Sequence, residues 1–215
     1  TNDISYDKYI NIIRFIETNN IKNIVLPINI YKQLSYNNYE TSYMQTFNYY
    51  KYGDLLDYIQ QNNIKYYEIY NIIYQLVNII KDLHYLDISH RDIKPENIII
   101  NYEPNLTLYL IDLEYSDFCK KNLTFRGGSF AYASPELLNR ELIIQNFKCV
   151  DIWAISIILY ILICKNMPWE IANNSCIFYN MFLEDKYFIY KNIFKKDIPF
   201  NHKILYNKIF NYGFN

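Results

Sequence analysis

The sequence predicts an α+β fold, with a small strand-bearing region followed by a larger helical one. Three observations carry that expectation. Two short apolar segments, Ile24 to Ile30 and Tyr43 to Tyr49, cluster before residue 52. From Tyr66 to Leu86, Ile69, Ile72, Ile73, Leu76, Ile80 and Leu83 recur at helical spacing and form one continuous stripe. Asp151 to Cys164 is apolar almost all round, the pattern of a helix buried on every side.

Each element has its own local signal. Residues 4 to 16 place Ile10, Ile13 and Ile16 at helical spacing, with Tyr6, Tyr9 and Ile12 nearby, and Asn19 and Asn20 stop the helix. Ile24 to Ile30, interrupted by Pro27, reads as one strand and Tyr43 to Tyr49 as another, with the polar SYNNYE stretch between them as a turn. Gly53-Asp54 starts a helix whose apolar face is Leu55, Leu56, Tyr58 and Ile59, with the acid placed in the first turn. Ile98 to Ile100 and Leu106 to Ile111 are short and apolar, separated by Asn and Pro, and predict a hairpin. Residues 113 to 134 follow neither period and read as a long loop, which inside a compact domain usually serves a function. Pro135-Glu136 opens the next helix, since Pro suits the first helical position and an acid the first turn. Beyond Trp169, short helices are expected at 175 to 183 and 202 to 210.

Composition narrows the classes of partner. Half the residues are hydrophobic (51%) and 20% charged, which excludes a disordered chain. A net charge of -1 and scarce Arg give no electrostatic footprint for nucleic acid, so no nucleic-acid partner is expected. Cysteines 119, 149, 164 and 176 form no CxxC pair, which favours a reducing, cytoplasmic setting. The Asn-x-Ser/Thr triplets at Asn105, Asn122 and Asn173 read as chance in a chain this rich in Asn. The run from Ile152 to Cys164 falls short of the ~20 residues a bilayer span needs, so a core helix and no membrane partner are expected. The 25 Tyr beside abundant Ile and Asn suggest an AT-rich source genome, viral or protozoan; a viral origin would make the setting host cytoplasm.

The densest chemistry lies between His90 and Asp112. His90, Arg91 and Asp92 are consecutive, Lys94 and Asn97 follow, and an apolar hairpin ends on Asp112. An acid, a base and an amide on one loop, with a second acid at the end of a nearby strand, suit phosphate chemistry. Phosphoryl transfer needs positioning and charge neutralisation more than covalent help. An ionised carboxylate can orient an attacking hydroxyl, and a lysine can stabilise charge on the transferred oxygens. Asn and Asp offer hard oxygens to Mg²⁺, which takes few protein ligands.

The octapeptide His90 to Asn97, HRDIKPEN, resembles the catalytic loop of eukaryotic-type Ser/Thr protein kinases. Tyr52 to Leu55, Leu83-His84, Gly128 to Glu136, Asp151 to Trp153 and Pro168-Trp169 resemble further segments of that family in its order. The resemblance implies a kinase-like fold: residues 1–52 as a partial N-lobe with an αC-like helix, two or three strands and the hinge, and 53–215 as the helical C-lobe with catalytic loop and activation segment. It implies ATP and Mg²⁺ as cofactors, protein Ser/Thr hydroxyls as substrate, and possible regulatory protein partners. Asp92, Lys94, Asn97 and Ser129 are the implied catalytic residues, and Asn97 and Asp112 the metal ligands. Asn48, Tyr50, Asp54 and Ile99 are the implied nucleotide contacts, with Phe47 as gatekeeper. His90 is implied to be structural, and Arg91 to bind a phosphate or an acidic side chain of the activation segment. Thr124 and Tyr115 are candidate phosphosites.

The sequence departs from the family in three places. Only four Gly occur, at 53, 127, 128 and 213, so no glycine-rich phosphate loop is present, nor the strand lysine that accompanies it. The helix at 4 to 16 offers only Asp7 or Glu17 where the family has its lysine-pairing Glu. The metal-binding triplet reads Asp112-Leu113-Glu114; Glu in place of Gly removes a free φ and sets a second carboxylate near the metal. A truncated kinase or pseudokinase acting as a regulatory binding module is the alternative expectation.

Overall fold

The computed structural model describes residues 2–34, 41–119, 129–138 and 147–185. Helix α1 (Asn2–Thr18) buries Ile12, Ile13 and Ile16 in the main core. It ends where expected, with the Asn19 side chain donating to the Phe15 carbonyl and Asn20 turning into the left-handed region at φ 53°.

The first strand lies later than the sequence suggests. β1 is Asn29–Leu34 and pairs antiparallel with β2 (Thr41–Thr46), Asn29 opposite Thr46. Residues 24–28 form no strand with it, since Pro27 has no N–H to give a ladder. Ile24 instead bridges in parallel to Leu110, with the Val25 N–H donating to the Leu110 carbonyl at 2.8 Å. That detour fastens the first region onto a hairpin of the second. The expected turn at 35–40 lies outside the described residues.

Asp54 caps α2 (Leu55–Gln61), its carboxylate accepting the Asp57 N–H at 2.9 Å. The long helix α3 (Tyr66–Tyr85) buries all six residues of the predicted stripe, plus Ile79. It packs against α5 (Phe147–Cys164), which begins one turn before the expected Asp151. α5 is apolar and long enough by composition to cross a membrane, yet 83% of it is buried inside the protein. Its apolar character is spent on the core. At its far end Trp169 meets Trp153, Tyr179 and Phe182, which anchors α6 (Ile177–Glu184).

Between α3 and α5 lie the short elements that carry the polar residues. β3 (Ile88–Ser89) pairs with β6 (Asp117–Phe118), a strand too short to leave a period in the sequence. β4 (Ile98–Asn101) and β5 (Thr107–Leu110) form the expected hairpin. A single 3-10 turn, Pro95–Asn97, leads into β4, and α4 is the short helix Pro135–Leu138. The architecture is therefore α+β, with three two-stranded sheets among the described residues, set among helices. The expected helix at 202–210 and the candidate phosphosite Thr124 fall outside the described residues.

Candidate active site

The loop between β3 and β4 is held from below by one buried carboxylate. Asp151, 1% exposed, heads the apolar part of α5. Its Oδ2 accepts the His90 N–H at 2.9 Å and sits 2.8 Å from His84 Nε2; its Oδ1 accepts the Arg91 N–H at 2.8 Å. Arg91 is thereby fixed at φ 71°, a left-handed conformation costly for a long side chain. His90 is structural, as expected. Its Nε2 donates to the Ile111 carbonyl at 3.0 Å, which leaves Nδ1 to accept the Asp92 N–H at 3.3 Å. Those two bonds require the Nε2–H tautomer.

On that platform the four expected catalytic residues converge. The Asp92 carboxylate, 4% exposed, accepts three donors. Lys94 Nζ lies 2.9 Å and Asn97 Nδ2 3.0 Å from Oδ2, and the Ser129 N–H lies 3.1 Å from Oδ1. Lys94 also donates to Ser129 Oγ at 3.1 Å. Burial opposes the lysine's charge, but the hydrogen bond to Asp92 and the attraction of Asp92, Glu96 and Asp112 raise its pKa overall. Lys94 therefore stays cationic at neutral pH.

Asn97 gives both amide bonds to Asp92, to the backbone carbonyl at 2.8 Å and to the carboxylate. Its Oδ1 is left as the atom available to a cation. The Asn97 carbonyl accepts the Ile111 N–H at 3.0 Å, which brings Asp112 to the same end of the hairpin. Asp112 adopts φ 64°, and its Oδ1 accepts the Glu114 N–H at 3.3 Å. Glu114 itself lies outside the positive-φ region, so the position held by Gly in the resembled pattern needs no glycine here. Leu113 is buried in the main core. The described residues contain no group of three His, Cys, Asp or Glu able to enclose a metal. An amide oxygen and one carboxylate suit Mg²⁺, which keeps most of its shell for phosphate and water.

Beside these residues opens a cavity of about 540 Å³. Asn48, Tyr50, Ile99 and Asp112 line it, together with Tyr9, Gln45, Phe47 and Glu114. Asp54, expected as a nucleotide contact, is not among the lining residues; its carboxylate caps α2. Among the lining residues Asp112 and Glu114 are acids and no Lys or Arg occurs. On the α1 side Tyr9 donates to Gln45 Oε1 at 2.6 Å. Burial pushes the Tyr9 phenol up to about 12, against the lowering effect of its bond to Gln45.

Two features escaped the sequence reading. By sequence pattern Asp151 reads only as the start of a helix, although a lone acid inside an apolar run signals a buried carboxylate with donors. The Tyr9–Gln45 pair joins residues 36 apart and left no local signal.

The protein kinase domain model matches residues 2–209. The chain is 36% identical over 131 residues to CDPK-related kinase 8 of Arabidopsis thaliana, covering 59% of this chain and 21% of that protein. It is 33% identical over 148 residues to the SNF-related serine/threonine-protein kinase of Homo sapiens, covering 67% and 19% respectively. To testis-specific serine/threonine-protein kinase 1 of Mus musculus it is 35% identical over 129 residues, covering 56% and 34%. The aligned part is thus a fifth to a third of these relatives' own lengths.

Proposed function

The chain belongs to the protein kinase domain family, and we propose that it is a Ser/Thr protein kinase catalytic region that transfers the γ-phosphate of ATP to protein hydroxyls. The observation that carries this reading is the Asp92 carboxylate, gripped by Lys94, Asn97 and Ser129 beside the cavity that Asp112 lines. Asp92 would orient the acceptor hydroxyl and receive its proton. Lys94 would neutralise charge on the oxygens being transferred, and Ser129 would keep both in register. Bound Mg-ATP would supply the phosphoryl group and the neutralising cation, with Asn97 and Asp112 holding the metal. Asn48, Tyr50 and Ile99 would contact the base.

Residues 1–52 and 53–215 are assigned to the smaller and larger lobes of such a kinase. The glycine-rich loop and ATP-gripping lysine have no counterpart in this sequence, and a preceding segment or a partner chain would have to supply them. Four free cysteines support a reducing, cytoplasmic setting. Abundant Tyr, Ile and Asn support an AT-rich source, viral or protozoan, which codon usage would test.

A second reading rests on the cavity's charge. With two carboxylates and no Lys or Arg among the described residues that line it, it suits an anionic triphosphate poorly, as in a pseudokinase that docks on a protein partner. One experiment separates the readings: Mg-ATP binding, and phosphate transfer to a generic protein substrate, by this chain and by Asp92→Asn and Asp112→Asn. Transfer abolished by both substitutions supports the enzyme. Failure to bind Mg-ATP would remove the claim that this chain acts alone.

A further inference from the structure

Aromatic rings from separate stretches of the chain meet in the wall of the cavity beside Asp112. Tyr9 comes from α1, Tyr43 from β2, and Phe47, Tyr49 and Tyr50 from the segment that follows β2. Two of these rings are braced by rings that do not line the cavity. Tyr6 stacks on Tyr43 at 3.7 Å with planes 8° apart, and Tyr109 packs tilted against Tyr50 at 5.2 Å. Tyr49 is 89% exposed and Phe47 46%, so much of each of these rings is still wetted.

Charge in the same wall has one sign. Asp112 and Glu114 line it, and no Lys or Arg occurs among the described residues that do. Burial is the main cause of the raised Tyr9 pKa, and the two carboxylates add to it, so their field reaches the aromatic side. The Tyr9 phenol, which donates to Gln45 Oε1, stays neutral at physiological pH. Ring faces attract cations, as carboxylates do. A bare metal ion would use the acids alone, since it prefers oxygen ligands and water. An alkylated ammonium uses both features, burying its methyl groups against the rings while its charge faces the acids. The volume of about 540 Å³ lies within the range of small-molecule sites.

We propose that this cavity binds a small organic cation, an alkylated ammonium held by the aromatic rings and countered by Asp112 and Glu114. This site goes beyond the kinase reading and does not rest on it. Where the chain also takes Mg-ATP, the cation occupies the same space and acts as a competitive inhibitor.

The test is isothermal titration of the 215-residue chain with choline chloride in sodium phosphate buffer free of Mg²⁺. The comparison ligand is the neutral alcohol in which carbon replaces choline's nitrogen, which keeps the shape and removes the charge. The wild type should bind choline about tenfold more tightly than the alcohol. Glu114→Gln should weaken choline severalfold, and Tyr49→Leu by about three- to tenfold. Both positions are exposed, so the fold should tolerate the changes. Tyr74→Leu, which alters an exposed ring on α3 that does not line the cavity, should leave choline affinity unchanged. Where Mg-ATP binds, choline should displace it, and Glu114→Gln should shift the two ligands in opposite directions, which a folding defect would not do. No choline binding, equal affinity for choline and the alcohol, or an affinity untouched by Glu114→Gln and Tyr49→Leu would overturn the proposal. Simultaneous binding of choline and Mg-ATP would overturn it as well. Choline binding without any Mg-ATP binding would uphold the cation site and count against the proposed enzyme.

Discussion

The catalytic loop and the cavity beside it handle charge in opposite ways. In the loop, Asp92 and Asp151 are almost completely buried, and each carboxylate is satisfied by three donors. In the cavity, Asp112 and Glu114 face open space; Asp112 accepts one long bond from the Glu114 backbone, and no Lys or Arg occurs among the described residues that line the wall. Buried acids with full donor sets are rigid and hold geometry. Acids that face open space with few donors are instead set to receive a cation. The loop is thus finished by its own chain, whereas the cavity is completed by what enters it.

The sharpest way to break that contrast is to remove the hub of the rigid half. Asp151→Ala would leave the buried N–H groups of His90 and Arg91 without an acceptor, at a cost of about 3–5 kcal/mol. Urea unfolding should show the loss, and the loop should fail as a site in the same variant. A loss below about 1 kcal/mol would mean that the hub does not hold the loop as described. Asp92→Asn should separate the two consequences. It keeps the shape and removes the charge, so transfer should fall by about 10²–10⁴-fold with a much smaller change in stability. Transfer at the wild-type rate would remove Asp92 from the chemistry.

The same contrast explains what could be read from sequence alone. The α3 stripe, the β4–β5 hairpin and the catalytic constellation were legible because their determinants are local. Asp92, Lys94 and Asn97 lie within six residues, and only Ser129 joins from a distance. β1 was misplaced because Ile24, Val25 and Leu26 look like strand residues wherever they pair, and their partner Leu110 is remote. β6 was missed because two residues cannot show a period. Asp54 has a local use that the sequence shows, as the cap of α2. The ion pairs of Asp117 with Lys8 and Arg91 span three elements, and no window of sequence contains them.

On the open side the effects should be smaller and of the opposite sign. Glu114→Gln removes one of the two cavity carboxylates, so affinity for ATP should rise severalfold, more at low salt than at high salt. Isothermal titration at two ionic strengths checks this. Weaker binding would instead make Glu114 part of the metal's support.

The smallest effect is expected where an ion pair looks strongest on paper. Lys51 Nζ lies 2.7 Å from Glu103, tying the segment before α2 to the β4–β5 turn. Its hydrogen bonds to Glu103 and Tyr52 raise its pKa, and the Lys51 bond lowers that of Glu103. Yet both side chains are more than half exposed, 57% and 68%, so water and salt screen the attraction. The signs set the pH window. The lysine's contribution holds below its unfolded pKa and fades as pH rises through the raised folded value. The glutamate's contribution holds above its unfolded pKa and fades as pH falls through the lowered one. Across neutral pH both are present, and Lys51→Met or Glu103→Gln should still leave Tm unchanged at physiological salt. A small fall should emerge at low salt only. A fall that persists in high salt would show that this exposed pair holds charge as the buried loop does, and the division between the two halves would fail there.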